Sequence, residues 1–318
     1  MSIERHILNG ATMGTRWSAI VHAPHALPQT MLTARLQAAV DQVDAEMSTW
    51  KPQSDLNRLN AAPVGVWVEV PPQLFDLLRL SVEMNAITRG AFDITVGRQV
   101  ARWGFGASAG KPGETVEIAR QFDLPVLEFD SINRSVRKYM AVSLDLSGIA
   151  KGFGVDRLLE SAREMEVEAG LFSIDGEVRA LGSRPDGFGW AIGVEAPDPS
   201  MRRAESVIEL SDAAIATSGT YRHCRRIGDA MVHHTIDPKT GAPSTSGIVS
   251  ASVMAPTTAV ADALATALLI SGQPLAEELA RALQLRYLLI DRNGHTITNL
   301  DEDADKAASP GTSQHAGF

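Results

Sequence analysis

The sequence predicts a mixed fold in which helices pack on strands paired as antiparallel hairpins, and three observations predict it. First, Leu171–Leu181 and Arg286–Asn299 read as hairpins that turn at Asp175-Gly176 and Arg292-Asn293-Gly294. Asp-Gly and Asn-Gly tolerate the positive φ that tight hairpin turns require. Second, Met31–Met47 carries one apolar stripe of Leu32, Leu36, Ala39, Val40 and Val43, the mark of a helix lying on a core. Third, every residue from Ala259 to Ile270 is apolar except Asp262 and Thr266, so this helix is buried on all sides. Asp262 and Thr266 are i and i+4, hence on one face.

Taken in order, Thr15–Ala23 reads as a strand entered through Met13-Gly14, followed by the Met31–Met47 helix. Pro52 stops regular structure, and Ser54 is a candidate N-cap for a short helix. Trp50, on the loop between, reads equally as a core plug or as a stacking platform for a planar ligand. Val64–Val70 is a short strand, and Pro71-Pro72 opens a helix to about Thr88, stopped by Gly90. Asp93 lies between Phe92 and Ile94 in a segment that otherwise reads as buried. It either closes its own turn or faces a ligand. Trp103–Gly113 is a glycine-rich loop, and Glu114–Phe122 reads as a short helix. Trp190–Val194, Ser206–Leu210, Ala214–Ser218 and Ser250–Met254 read as further strands, and Asp237-Pro238-Lys239-Thr240-Gly241 as a tight turn.

The stretch Ser143–Asp156 organises the chain. Arg134–Leu144 before it reads as extended, and Val155, Leu158, Leu159 and Ala162 after it recur at helical spacing. Gly148, Gly152 and Gly154 allow backbone to approach a ligand closely. Lys151 sits near the helix start, where the macrodipole disfavours a cation unless an anion is bound. A glycine turn with a surface lysine is the plainer alternative. His233 and His234 are adjacent, so on a strand they face opposite ways and only one can enter a given site. That one suits proton transfer near neutral pH. On the long apolar helix, Asp262 with Thr266 offers oxygen ligands for a hard cation, against the alternative that Asp262 caps a neighbouring element.

Composition bounds the partners. In 318 residues, 29 Lys and Arg against 38 Asp and Glu give a formal net charge of −9. That argues against a nucleic-acid groove, so any phosphate must be held by local groups. The single cysteine, Cys224, forbids an internal disulfide and fits a reducing compartment. No apolar run reaches the ~20 residues that span a bilayer. Met1–Gly10 has no signal-peptide core. The expected location is therefore cytoplasmic as the sequence stands, or periplasmic and membrane-associated if an export segment has been removed. A single domain, with two lobes possible, is expected over residues 1–300, with a disordered polar tail from Asp301. The glycines form no G-x-G-x-x-G after a first strand, which disfavours a Rossmann unit.

Six ordered stretches together resemble the ApbE family, the FAD:protein FMN transferases. They are Met13-Gly14-Thr15, Met47-Ser48-Thr49-Trp50, Ala91–Gly97, Asp145–Gly152, His234–Gly241 and Ala261–Thr266. The resemblance implies an α+β fold of mixed or antiparallel sheets with packed helices, in two intertwined lobes around a flavin cleft. It implies Mg²⁺ held by Asp262, Thr266 and the Gly148 carbonyl. FAD, as substrate, would contact Met13, Trp50, Ala91, Phe92, Asp93, Asp145, Lys151 and Ile236. His234 matches the position of the catalytic base. FMN would pass from FAD to a threonine or serine of an acceptor protein carrying a D-x-x-[ST]-G-A-[ST]-like motif, and AMP would leave. Trp50 stands where the family usually has tyrosine, and the N-terminus lacks the cysteine through which many relatives are tethered as lipoproteins. The alternatives are an FAD pyrophosphatase yielding FMN and AMP, and a non-catalytic flavin-binding protein.

Overall fold

A computed structural model describes residues 3–107, 126–198, 200–201, 203–222, 224–227 and 230–300. The expected Glu114–Phe122 helix, the distal part of the Trp103–Gly113 loop and the tail from Asp301 lie outside the described residues.

The chain starts with a strand that the sequence does not announce. β1 (Ile3–Thr12) pairs antiparallel along its whole length with β2 (Thr15–Pro24). Met13 (φ 46°) and Gly14 (φ 72°) make the turn in the left-handed region. The hydrophobic alternation of β1 is inverted: His6, Leu8 and Thr12 point inward while Ile3 and Ile7 are exposed. Next come α1 (Gln29–Met47) and α2 (Asp55–Ala61). Ser54 caps α2 by accepting the Asn57 N–H. β3 (Val68–Glu69) and α3 (Pro72–Ile87) follow, then α4 (Gly97–Arg102), β4 (Leu127–Asp130) and β5 (Ser135–Lys138). The extended stretch expected to reach Leu144 is a strand only to Lys138; beyond it, Ser143 makes a single parallel bridge to Val96.

α5 (Ala150–Arg163) leads to the hairpin of β6 (Ala169–Ile174) and β7 (Glu177–Leu181). β8 (Trp190–Glu195), β9 (Ala204–Leu210) and β10 (Ala214–Gly219) follow, then β11 (Cys224–Ile227), β12 (Ala230–His233), β13 (Ile236–Asp237) and β14 (Ala242–Pro243). β15 (Ile248–Ala255), α6 (Thr258–Ala282), β16 (Arg286–Asp291) and β17 (Thr296–Thr298) complete the fold. α6 is 25 residues long and apolar, but it is a core helix, buried along most of its length, with a kink at Gly272 just before Pro274.

Eight strands form one sheet in the order β1-β2-β6-β7-β10-β15-β16-β17, which is also chain order. Every pairing in it is antiparallel. Helices α1 and α5 cover one face, where Leu32, Leu36 and Val40 meet Val155, Leu158 and Leu159 over Trp17, Phe172 and Ile174. The β8–β9 hairpin covers the opposite face through Trp190, Ile208 and Leu210. A third core joins α2, α3 and the β3-β5-β4 sheet to α6, through Leu74, Leu78, Val136, Leu264 and Leu268. α6 thus touches both the large sheet and the smaller helical layer, and residues projecting from its first turns lie where these parts meet. The architecture is α+β, with antiparallel sheets and packed helices.

Candidate active site

The site begins with two helix N-termini that cap each other. No side chain at Ile149 caps α5. Instead the Gly152 N–H donates to Asp262 Oδ2 of α6 at 3.1 Å. In return Asp156 of α5 accepts the Thr258 N–H at 2.8 Å and the Ala259 N–H at 3.0 Å, the first free donors of α6. Asp156 is further held by Arg179 Nη1 at 2.6 Å. A carboxylate at each N-terminus also complements each helix dipole. Glycine at 152 is obligatory here, because a Cβ would lie 2.4 Å from the Thr258 carbonyl oxygen.

Above this crossing opens a cleft of about 580 Å³. Trp50, Phe92, Asp93, Asp145, Gly148, Lys151, His234, Ile236, Asp262 and Thr266 all line it. Met13 lines an adjoining cavity of about 440 Å³ that shares Trp50, Ser147 and Lys151 with the first. Ala91 is buried and lines neither. Residues from loops far apart in sequence therefore converge on one place.

The oxygen ligands expected from the sequence stand together. Asp262 and Thr266 project from one face of α6, and Thr266 Oγ1 lies 3.0 Å from Ser218 Oγ of β10. Gly148 is packed against Thr266: a Cβ there would sit 3.2 Å from Thr266 Oγ1. A carboxylate, a hydroxyl and a backbone carbonyl are hard donors that fit Mg²⁺, which keeps several waters and needs few protein ligands. Asp262 both caps α5, as one sequence-based alternative expected, and faces the cleft. Burial pushes its carboxyl above the usual range, opposed by Lys151 and the Gly152 N–H.

Lys151 lines the cleft as an ion-paired cation. Its Nζ lies 2.5 Å from Glu177 Oε1 and 3.9 Å from Asp175 Oδ2, both at the β6–β7 turn. Burial alone would lower its pKa, but Glu177, Asp262 and Asp175 more than offset that and keep it charged. Glu177 is fully buried, and burial pushes its carboxyl up to about 7 against the pull of Lys151. Its Oε2 is buried with no hydrogen-bond partner among the described residues. Asp93 closes its own turn by accepting the Thr95 N–H at 2.8 Å and also lines the cleft, with burial raising its pKa. Asp145 accepts both the N–H and the hydroxyl of Ser147.

The adjacent histidines divide, His233 ending β12 and His234 lying just beyond it. His233 Nε2 lies 2.9 Å from the Ser244 carbonyl oxygen, to which it can donate, and burial lowers its pKa. His234 lines the cleft, its ring edge-on to Phe105 at 6.3 Å.

The model of the ApbE family matches residues 13–289. The chain belongs to the ApbE family. It is 32% identical over 295 residues to the FAD:protein FMN transferase of Vibrio cholerae serotype O1, covering 90% of this chain and 87% of that protein. It is 33% identical over 311 residues to that of Haemophilus influenzae, covering 94% and 90%. Among ApbE structures, the flavin transferase from Vibrio cholerae superposes with a TM-score of 0.81 at 29% identity, over 94% of this chain and 97% of that one. The ApbE protein from Thermotoga maritima superposes at 0.84 and 25% identity, over 95% and 99%.

Against that family background, three residues at or below this cleft were not singled out from the sequence: Glu177, Ser218 and Asp156. Glu177 carried a signal, a carboxylate at the first strand position after the Asp175-Gly176 turn, ahead of inward-facing Ala180. Ser218, in Ala-Thr-Ser-Gly, carried little. Asp156 sits beside Val155 on the buried side of α5, and only its partners across the fold explain it.

Proposed function

We propose that this chain transfers FMN from FAD to a threonine or serine hydroxyl of an acceptor protein and releases AMP, with Mg²⁺ held by Asp262, Thr266 and the Gly148 carbonyl. Flavin transfer is the activity for which its ApbE relatives are named. The observation that carries the finer reading is the meeting, in one cleft, of an oxygen-ligand corner, a lysine and a histidine.

The chemistry balances simply. The acceptor oxygen bonds to the FMN phosphorus, the pyrophosphate P–O bond to AMP breaks, and the hydroxyl proton passes to His234. AMP departs with its bridging oxygen as a phosphate. When bound, Mg²⁺ supplies charge neutralisation at the pyrophosphate. Asp262 and Thr266 would hold it, and Lys151, ion-paired to Glu177, stands beside them. Trp50, 70% exposed at the mouth of both cavities, offers a stacking face to a planar ring. Ile236 and Phe92 add apolar lining deeper in the cleft.

The test is incubation with FAD and Mg²⁺, with and without an acceptor domain carrying a D-x-x-T-G-A-T segment. Transfer predicts a mass gain of one FMN on the acceptor threonine, with AMP formed in step. AMP released at full rate without acceptor, and no mass gain with it, would instead make the chain an FAD pyrophosphatase.

A further inference from the structure

We infer that Ser218 is a positioning residue for the cation corner: its hydroxyl accepts the Thr266 O–H, which turns the lone pairs of the Thr266 oxygen toward the ion. This rests on the transferase reading above and adds a residue of β10 to the metal corner proposed there.

The two hydroxyls meet across an otherwise apolar contact. Thr266 Oγ1 of α6 lies 3.0 Å from Ser218 Oγ of β10, and both residues line the cleft. Ala214, Ala216 and Ser218 share one face of β10, because alternate residues of a strand point the same way. Ala216 is buried in a cluster with Ala261 of α6. Ala251, the partner of Ser218 on β15, is buried in the same core as Ala263 and Leu264 of α6. Ser218 is thus the one polar residue on the face that β10 turns to α6, and it stands at the end that reaches the cleft.

Thr266 does not use its hydroxyl as helical hydroxyls here generally do. A serine or threonine inside a helix commonly donates to the carbonyl four residues earlier. Thr33 does so to Gln29 at 2.8 Å, Ser81 to Leu77 at 2.7 Å and Ser271, on α6 itself, to Ala267 at 2.7 Å. Thr266 makes no such bond among the described residues; its hydroxyl is directed at Ser218 instead.

That difference matters to a cation. A hydroxyl has one hydrogen to donate and two lone pairs to offer. When one lone pair goes to a metal ion, the hydrogen must point away from it and find an acceptor. Ser218 Oγ is that acceptor. Without an ion either oxygen of the pair can donate to the other. With one on Thr266 Oγ1 a single direction survives: Thr266 donates, Ser218 accepts, and the Ser218 hydrogen is released to another acceptor. Groups that orient a metal ligand in this way set much of the affinity of the site.

The test reads metal binding apart from turnover. Mn²⁺ is titrated, by its electron paramagnetic resonance signal, into the full chain, Ser218→Ala, Ser218→Thr, Thr266→Ala and the Ser218→Ala, Thr266→Ala double variant. Ser218→Ala should weaken Mn²⁺ binding by ~10–100-fold, as for loss of a group that orients a metal ligand, and Ser218→Thr, which keeps the hydroxyl, should recover it. Adding Ser218→Ala to Thr266→Ala should cost nothing more, because the two residues act through one contact. In transfer assays the Mg²⁺ concentration for half-maximal rate should rise in Ser218→Ala by the same factor, with kcat retained at saturating Mg²⁺. Wild-type Mn²⁺ affinity in Ser218→Ala, a further loss of the same size in the Thr266→Ala background, or no Mn²⁺ binding by the wild type would overturn the assignment. Mn²⁺ binding that depends on Ser218 without any FMN transfer by the wild type would retain the positioning role and sink the transferase reading instead. Transfer by the wild type with Mn²⁺ binding indifferent to Ser218 would do the reverse.

Discussion

The floor of the cleft and its rim handle charge in opposite ways. At the floor, Asp156, Asp262, Glu177, Lys151 and Arg179 are largely buried and matched to one another or to helix N–H groups. At the rim, arginines on the β11–β12 hairpin stand in solvent, and one has no ionic partner among the described residues. A buried, paired charge is fixed in place, and removing one partner is costly because the other is stranded. An exposed charge is cheap to alter and acts mainly on encounter. The contrast teaches that the charges of the floor are fixed by one another, while those of the rim are largely held by solvent.

Breaking the floor where it is purely structural should give the largest change in stability. Asp156→Ala uncaps Thr258 and Ala259 and strands Arg179, so we expect a loss of about 3–5 kcal/mol, as for a broken buried pair, read by urea unfolding. A change below about 1 kcal/mol would mean that the reciprocal caps do not hold α5 and α6 together. Altering the residue between floor and rim should change chemistry alone. His234→Ala is expected to slow transfer by ~10²–10⁴-fold, as for loss of a general base, with FAD affinity and thermal midpoint unchanged. An unaltered rate at saturating acceptor would remove His234 from the mechanism.

The subtlest effect is a pH slope. Glu177 is raised from its ordinary value to about 7 by burial, so between about 4.5 and 7 the folded protein binds more protons than the unfolded chain. Stability from this group is therefore full at the acid end and is lost as pH rises through 7. Thermal midpoints measured without divalent ions should fall for the wild type relative to Glu177→Gln across that window. A difference that stays flat would place the Glu177 carboxyl in the ordinary acidic range.

Much of this was legible in the sequence because it depends on local pattern. The stripe of α1, the apolar run of α6 and the Asp175-Gly176 turn each follow from spacing or turn chemistry alone. Asp262 and Thr266 were legible as an anomaly, two oxygen donors on an otherwise apolar helix. β1 was not, because its inward residues include His6 and Thr12 while its isoleucines face out. Nor was the pairing of Lys151 with Glu177, 26 residues on, or of Asp156 with the α6 N-terminus, because long-range partners leave no periodic trace. The convergence of the loops bearing Trp50, Asp93, Asp145 and His234 was expected only through the family resemblance; the residues themselves hold no signal of their distance apart.

The central claim is that the Asp262, Thr266 and Gly148 corner holds the divalent ion on which transfer depends. Asp262→Asn tests it most directly, because the amide oxygen can still accept the Gly152 N–H and leave the helix crossing intact. Acceptor mass is followed across a Mg²⁺ titration. The account predicts one added FMN with wild type and none with the variant at sub-saturating Mg²⁺, while the variant stays folded by circular dichroism. Wild-type flavinylation by the variant at the same low Mg²⁺ would contradict it.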